Sequence, residues 1–508
     1  SDAVMLLDLG GPTPERVPYE AQVLDAGHTL ILWPMRPLRP ATRHAAVITT
    51  DFAAADGGCL APSPDLRALL TGTASEPALA RMHPRYADLL DATGLEADAI
   101  SAAAVFTTQA IHDASLTAAA DIRARTYAWS APPTCQDLPD FRRCRGAFLA
   151  WDYRHEGHPS EAGAPAPYSL PVTVWLPKSG EGPFPIILFG HGLGGSATQG
   201  ALAAQVAAAD GVATVAVSTL RHGDHPTARQ GDPNAAFVDF FGIDLDSFSI
   251  NGLVFRENLR QAALDKLQLL ELLAAEPDVT GDGAPDVDVT LTAYWGVSLG
   301  GIMGADLLAL SDRVGAAVLA VAGARLVSVI TDGENFASLK NVLSVIVGDD
   351  AIIDRLAPIA QTLLDVGDPV NWAPHVLRDR FLGEPPHVLQ TVAIGDAVVP
   401  NSTSRALARA LGLEHIPPRV APIDLLPPSA AAPVLGNLAG GAVTGGLFQF
   451  DRVSNAPGQQ PRPASHDNLF NTVESPHQTY FFFETWLRSG GPPHIVDPYE
   501  VMGTPPLP

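Results

Sequence analysis

Short apolar runs alternate with amphipathic stretches along most of the chain, which is the pattern of strands alternating with helices. Residues 184–189, 211–218, 290–295, 316–322, 388–394 and 446–450 read as strands rich in Val, Ile, Leu and Phe. Between them, residues 256–274 place Leu259, Ala263, Leu267 and Leu270 on one helical face, and helices are also expected over 301–310, 402–411 and about 476–487. Such an order predicts an α/β domain with a mostly parallel sheet covered by helices. The first 165 residues differ in texture. Strands are expected at 4–9, 21–24, 28–33, 45–50 and 103–108, with a turn at Asp25-Ala26-Gly27, and helical stretches at 64–70, 76–92 and 109–125 interrupt them. The expectation is a small Ig-like β-sandwich with a helical insertion over 1–165, followed by a catalytic domain over 166–508.

One insertion breaks the alternation. Residues 325–386 are far longer than the usual strand-to-strand connection, and their apolar helical runs at 339–347 and 352–366 suit a cap burying against the functional face. Phe237, Phe240, Phe241, Phe248 and Phe255 supply a second aromatic wall, although core packing explains most such residues.

Three motifs fall at strand ends. Gly296-Val297-Ser298-Leu299-Gly300 fits G-x-S-x-G between a strand and a helix, where a sharp turn exposes the serine and aims the Leu299 N–H at developing negative charge. Upstream, strand 184–189 runs into Gly190-His191-Gly192-Leu193-Gly194-Gly195; no Lys-Ser or Lys-Thr follows, so a phosphate-binding loop is excluded. Downstream, strand 388–394 ends in Gly395-Asp396, and a histidine follows the last strand. Two histidines compete for that place. His466 lies in a loop, whereas His477 lies in the first turn of the final helix, after Ser475 as N-cap and Pro476; a helix N-terminus disfavours an imidazolium, which favours His466.

From about residue 168 to 486, the elbow serine, the His-Gly loop, the acid and the histidine in this order resemble an α/β-hydrolase of the esterase and lipase kind. The resemblance implies a Ser298, Asp396, His466 triad and an oxyanion hole made by the N–H groups of Leu193 and Leu299. The loop Arg221-His222-Gly223-Asp224-His225 resembles one that follows the next strand in such proteins; it is expected to be a polar surface loop rather than a metal site. In the first part, residues 37–45 followed by Asp51, and residues 105–109, resemble the N-terminal domain of secreted bacterial virulence-type lipases. The implied activity is serine ester hydrolysis on an ester or lipid substrate, with no cofactor required. A polyester depolymerase or a peptidase on the same fold is the alternative, and a surface-binding protein with a degenerate hydrolase domain is the reading from another class.

Charge and cysteines refine the setting. A net charge of −24 argues against nucleic acid and against anionic membranes as partners, and no apolar run is long enough to span a bilayer. Lysine occurs only at Lys178, Lys266 and Lys340, so arginine carries most of the positive charge. No signal peptide is visible in a chain that begins at Ser1. Of three cysteines, Cys135 and Cys144 flank a short loop that an oxidising compartment would close, leaving Cys59 unpaired; a secreted or cell-surface location is expected. Finally, Asp278, Thr280, Asp282 and Asp286 stand at positions 1, 3, 5 and 9 of a calcium-loop pattern with Gly283 at position 6, but Val289 replaces the bidentate Glu at position 12. A structural calcium ion and a plain acidic loop are the two readings of that stretch.

Overall fold

The computed structural model describes residues 2–507 apart from 25–26, 54–56, 59, 155–163, 233, 245, 248 and 349. The turn expected at Asp25-Ala26, Cys59 and Phe248 therefore lie outside the described residues. The chain forms two compact units, Ser1–Asp113 and Ala114–Pro508.

The larger unit is built on a ten-stranded mixed sheet. From one edge the strands run Thr134–Asp137, Phe141–Asp152, Ala166–Pro177, Ala213–Ala216, Phe184–Gly190, Val287–Val297, Val314–Ala320, His387–Ala393, Gly445–Phe450 and Glu414–His415. The first three are antiparallel to their neighbours, and from Ala213–Ala216 onward all are parallel. Alternation along one strand explains why both faces carry helices. Ile186 and Leu188 face one core, shared with Leu264, Leu267 and Leu407, while Ile187 and Phe189 face the other, shared with Ala203, Ala204, Phe482 and Phe483. A large sheet flanked by helices is thus the architecture, as the strand and helix pattern implies.

The boundary expected at residue 165 is corrected. Strand Phe141–Asp152 pairs along its whole length with Ala166–Pro177, so the region before residue 165 supplies two strands of the large sheet. The division between the two compact units lies instead at Asp113. Helix Gly252–Ala275 also departs from a simple amphipathic pattern. It is buried nearly all round, because its polar side serves the backbone at the end of strand Phe141–Asp152 and just beyond it: Gln268 Oε1 accepts from Trp151 N at 2.7 Å and Gln261 Oε1 from Tyr153 N at 2.7 Å.

The smaller unit contains a four-stranded antiparallel sheet in the order Glu15–Arg16, Val4–Asp8, Arg43–Thr49, Ile100–Thr107, and a separate hairpin of Tyr19–Leu24 with Thr29–Pro34. The expected sandwich is not what covers the sheet. Helices Pro64–Thr71 and Pro77–Thr93 supply Leu69, Leu70, Tyr86 and Leu89 to a core with Met5, Leu7, Ala45, Val47 and Ile100, so what looks like an insertion in the sequence is the second layer.

The stretch expected as a cap, residues 325–386, lies between strands Val314–Ala320 and His387–Ala393 and contains helices Leu326–Asp332, Ala337–Val347, Asp350–Leu364, Pro369–Trp372 and Pro374–Leu377. Leu326 to Val329 are buried, yet Leu356, Ile359 and Leu363 remain at least half exposed, so the apolar residues of helix Asp350–Leu364 do not all turn inward.

Candidate active site

Ser298 stands between strand Val287–Val297 and the helical turn Leu299–Ile302, with φ 54° and ψ −116°. A non-glycine residue pays for positive φ in strain, and such strain survives only where the surroundings enforce it. Two contacts do so here. Ser298 N–H donates to Ala320 O on the neighbouring strand at 2.9 Å, and Ile302 N–H donates back to Ser298 O at 2.9 Å. The flanking glycines are required by close approach: a Cβ on Gly296 would lie 2.5 Å from Gly300 O, and one on Gly300 would lie 2.1 Å from Gly190 O. Tyr294 Oη donates to Gly300 O at 2.5 Å and ties the turn back to its own strand.

His466 is carried by the loop after the last long strand, and its Nε2 lies 3.0 Å from Ser298 Oγ. On its other side Nδ1 lies 2.8 Å from Asp396 Oδ2. An ionised carboxylate can only accept, so Nδ1 carries the ring proton and Nε2 presents its lone pair to the serine hydroxyl. Asp396 is held by three further features. Its Oδ1 accepts from Val398 N at 2.9 Å and Val399 N at 2.8 Å, and the turn before it is braced by Asn401, which accepts from Gly395 N and donates to Ala393 O. Nothing in the sequence pattern marks Asn401, because its contacts run backwards from a helix to the strand end.

His477 is placed elsewhere. It lies in helix Glu474–Ser489, stacks on Phe481 at 5.9 Å, and has a pKa lowered chiefly by burial. The helix begins two residues earlier than expected, at Glu474, whose buried carboxylate accepts from Ser454 N at 2.9 Å and from Thr504 Oγ1 at 2.6 Å. Ser475 is therefore inside the helix rather than its cap.

The His-Gly loop lies against the elbow: a Cβ on Gly192 would be 3.9 Å from Ser298 Oγ. Leu193 follows directly, and Leu299 opens a helical turn, where backbone N–H groups have no acceptor within the helix. His191 anchors this loop, a role the sequence does not announce. Its Nδ1–H donates to Gly192 O at 2.8 Å and its Nε2 accepts from Thr219 N at 2.8 Å. Burial holds its pKa down to about 3, so the ring stays neutral and keeps that donor and acceptor pattern.

The loop with His222 and His225 is corrected from surface to interior. Both rings are buried; His225 meets Asp265 at 3.2 Å and Thr227, and His222 Nδ1–H donates to Leu220 O at 2.8 Å. Among the described residues no group of three His, Cys, Asp or Glu is placed to hold a metal ion. The calcium-type loop shows why. Asp278 accepts from the N–H groups of Gly281, Asp282 and Gly283, and Asp286 from those of Val279 and Thr280 and from the Thr280 hydroxyl. Asp282 accepts from Ala284 N. Carboxylates turned onto the loop's own amides do not converge on a cation, so the residues do not fit calcium.

Cys135 and Cys144 form a disulfide between register partners on adjacent strands. Among the described residues no helix is long and apolar enough to cross a membrane.

No protein-family model and no curated protein matches the chain. Solved structures similar in part include an acetyl xylan esterase from Paenibacillus sp. R4, at 17% identity and TM-score 0.41 over 59% of this chain and 84% of that one. A cold-adapted esterase from an Arctic intertidal metagenomic library gives 15% identity and TM-score 0.33 over 67% and 91%. The acylaminoacyl peptidase of Pyrococcus horikoshii gives 13% identity and TM-score 0.39 over 71% of this chain but 42% of its own. Likeness at this level carries no argument about activity, which is read from the geometry of the site.

Proposed function

We propose that the chain is a serine ester hydrolase of the α/β-hydrolase kind, of lipase or esterase type. The observation that carries the reading is the unbroken line from Ser298 Oγ to His466 Nε2 at 3.0 Å and from His466 Nδ1 to Asp396 at 2.8 Å. In this reading His466 takes the Ser298 proton as Oγ attacks the ester carbonyl, and Asp396 holds the tautomer and stabilises the imidazolium. The N–H groups of Leu193 and Leu299 receive the oxyanion, a role supported by the approach of the Gly192 loop to the serine and by the open helical turn at Leu299. The imidazolium then gives its proton to the leaving alcohol. Water, deprotonated by the same histidine, cleaves the acyl-enzyme and returns Ser298. Every proton in this cycle moves between substrate, water, Ser298 and His466, with Asp396 remaining a carboxylate, so the reaction calls for no cofactor.

Ester or lipid substrates are the proposed partners, and the charge of −24 speaks against nucleic acid. An extracellular or cell-surface location is supported by the Cys135–Cys144 disulfide, since such bonds persist in oxidising compartments.

The test is hydrolysis of soluble p-nitrophenyl esters beside peptide and polyester substrates, with fluorophosphonate labelling of the serine. Ser298→Ala is expected to lose label and at least about a thousandfold in kcat. His466→Ala should fall to the same level, with no further loss in the double variant, whereas His477→Ala should keep most activity. Labelling that survives in Ser298→Ala, or a dead His477→Ala with an active His466→Ala, would overturn the assignment. Labelling without turnover of any ester would favour a degenerate binding domain instead.

A further inference from the structure

Leu193 lies between two anchors of the His-Gly loop, and neighbouring residues receive both. Before it, His191 Nε2 accepts the Thr219 N–H at 2.8 Å; after it, the Ala197 N–H donates to Ser218 Oγ at 3.0 Å. Ser218 and Thr219 are buried and follow strand Ala213–Ala216, the parallel partner of strand Phe184–Gly190 that delivers the loop. Between the anchors the turn is closed on itself, since Gly192 O accepts from His191 Nδ1–H at 2.8 Å and from the Gly195 N–H at 3.0 Å. A Cβ on Gly192 would stand 3.4 Å from Ser298 Cβ, so a shift of either anchor is a shift of the Leu193 amide against the serine.

The stretch Arg221 to His225 holds the receiving pair in turn. Ser218 Oγ–H donates to Asp224 Oδ1 at 2.6 Å, which leaves the hydroxyl lone pairs for the Ala197 N–H. His225 fastens the turn to helix Gly252–Ala275: its Nδ1 accepts the Thr227 N–H at 3.2 Å, so Nε2 carries the proton and donates to Asp265 Oδ2 at 3.2 Å. Gly223, with φ 51°, gives the approach, because a Cβ there would stand 2.5 Å from Ser196 Cβ and 2.6 Å from Ser218 Oγ. Resting on the ester-hydrolase reading, we propose that Ser218, oriented by Asp224, is a positioning residue that sets the Leu193 N–H on the developing oxyanion. The physical basis is preorganisation: the donor must be in place before charge develops, and a displacement of about 1 Å costs up to about a hundredfold in rate. A donor that works only on the transition state is felt in kcat, not in KM.

The experiment uses the full chain and p-nitrophenyl acetate, with kcat expressed per serine titrated to completion by a fluorophosphonate. Ser218→Ala is expected to lose about thirtyfold in kcat per titrated serine while KM stays within about twofold of the wild type. The rate of labelling should fall in proportion, since the phosphonyl oxygen calls on the same donors. Asp224→Ala should lose about fivefold, the scale of one hydrogen bond, and Asp224→Asn, whose Oδ1 still accepts the Ser218 hydroxyl, should recover most of it. Asp224 is exposed, so its variants keep the test open if Ser218→Ala fails to fold. A Ser218→Ala enzyme that loses only titratable serine and keeps its kcat per site, a loss that falls on KM with kcat intact, or equal losses in Asp224→Ala and Asp224→Asn would overturn the positioning role. Ester turnover that does not depend on Ser298 would strike the ester-hydrolase reading itself, which the acetate rate of Ser298→Ala reports separately.

Discussion

Two glycine-rich stretches flank the same strand and do opposite things with the same vocabulary. At the end of Val287–Val297 the elbow Gly296 to Gly300 uses glycine for space, since a Cβ at either end would strike backbone at 2.5 Å or less. Before that strand, Gly281 and Gly283 use glycine for conformation: φ is 77° and 89°, and nothing lies within 4 Å of a Cβ built there. The polar groups follow the same division. In the elbow they point away from their own turn, Ser298 to His466 and onward to Asp396, partners 168 and 70 residues apart in sequence. In the acidic loop they fold back on amides two to seven residues away. A motif with chemistry to perform leaves its groups aimed outward; a motif that shapes a turn consumes them.

The sharpest way to break this contrast is to add the same methyl group to each stretch. Gly300→Ala should cost about 3 kcal/mol by overpacking against Gly190, and misplacing the serine should lower kcat at least about a hundredfold. Gly281→Ala should cost about 1 kcal/mol of backbone strain and leave kcat unchanged. Urea melts and ester kinetics on the two variants measure both quantities, and equal effects would erase the distinction. A smaller effect is expected at Asp286→Ala, about 1 kcal/mol, from the loss of the carboxylate that accepts the Val279 and Thr280 amides, again with kcat intact. Smallest of all is the response to metal. Neither EDTA nor added calcium should move the melting temperature, because a ligand that binds the native state would raise it with concentration; a calcium-dependent rise would show that the loop opens its carboxylates after all.

What could be read from sequence divides along similar lines. The parallel strands, the elbow and the acid turn are local signals, each a strand followed by a defined turn, so their residues stand where the pattern puts them. His466 was reachable through chain order and a helix-terminus argument. Long-range pairing was not. Strand Phe141–Asp152 joins the large sheet by a ladder with Ala166–Pro177, and no composition shift marks that ladder, which is why the boundary near residue 165 gave way to one at Asp113. Helices Pro64–Thr71 and Pro77–Thr93 look like an interruption of a β-domain because sequence order says nothing about which layer an element joins. The polar faces of Gln261 and Gln268, and the histidines of the 221–225 loop, read as solvent-facing until their buried partners are known.

The disulfide has a consequence for the outer rim of the large sheet. Thr134–Asp137 is the last strand on its side, four residues long, and its outward backbone groups offer a template for pairing with another chain. Cys135 ties that strand to Cys144 at a position where the two are directly opposite, and Arg143 and Arg142 clasp Gln136 and Asp137 at the next two register pairs. Peeling the rim would uncover the far longer strand Phe141–Asp152, twelve residues with Phe141, Phe148 and Ala150 among its buried positions. The crosslink therefore guards against edge-to-edge association as much as against unfolding, and a chain matured under reducing conditions would meet its neighbours with that guard loosened.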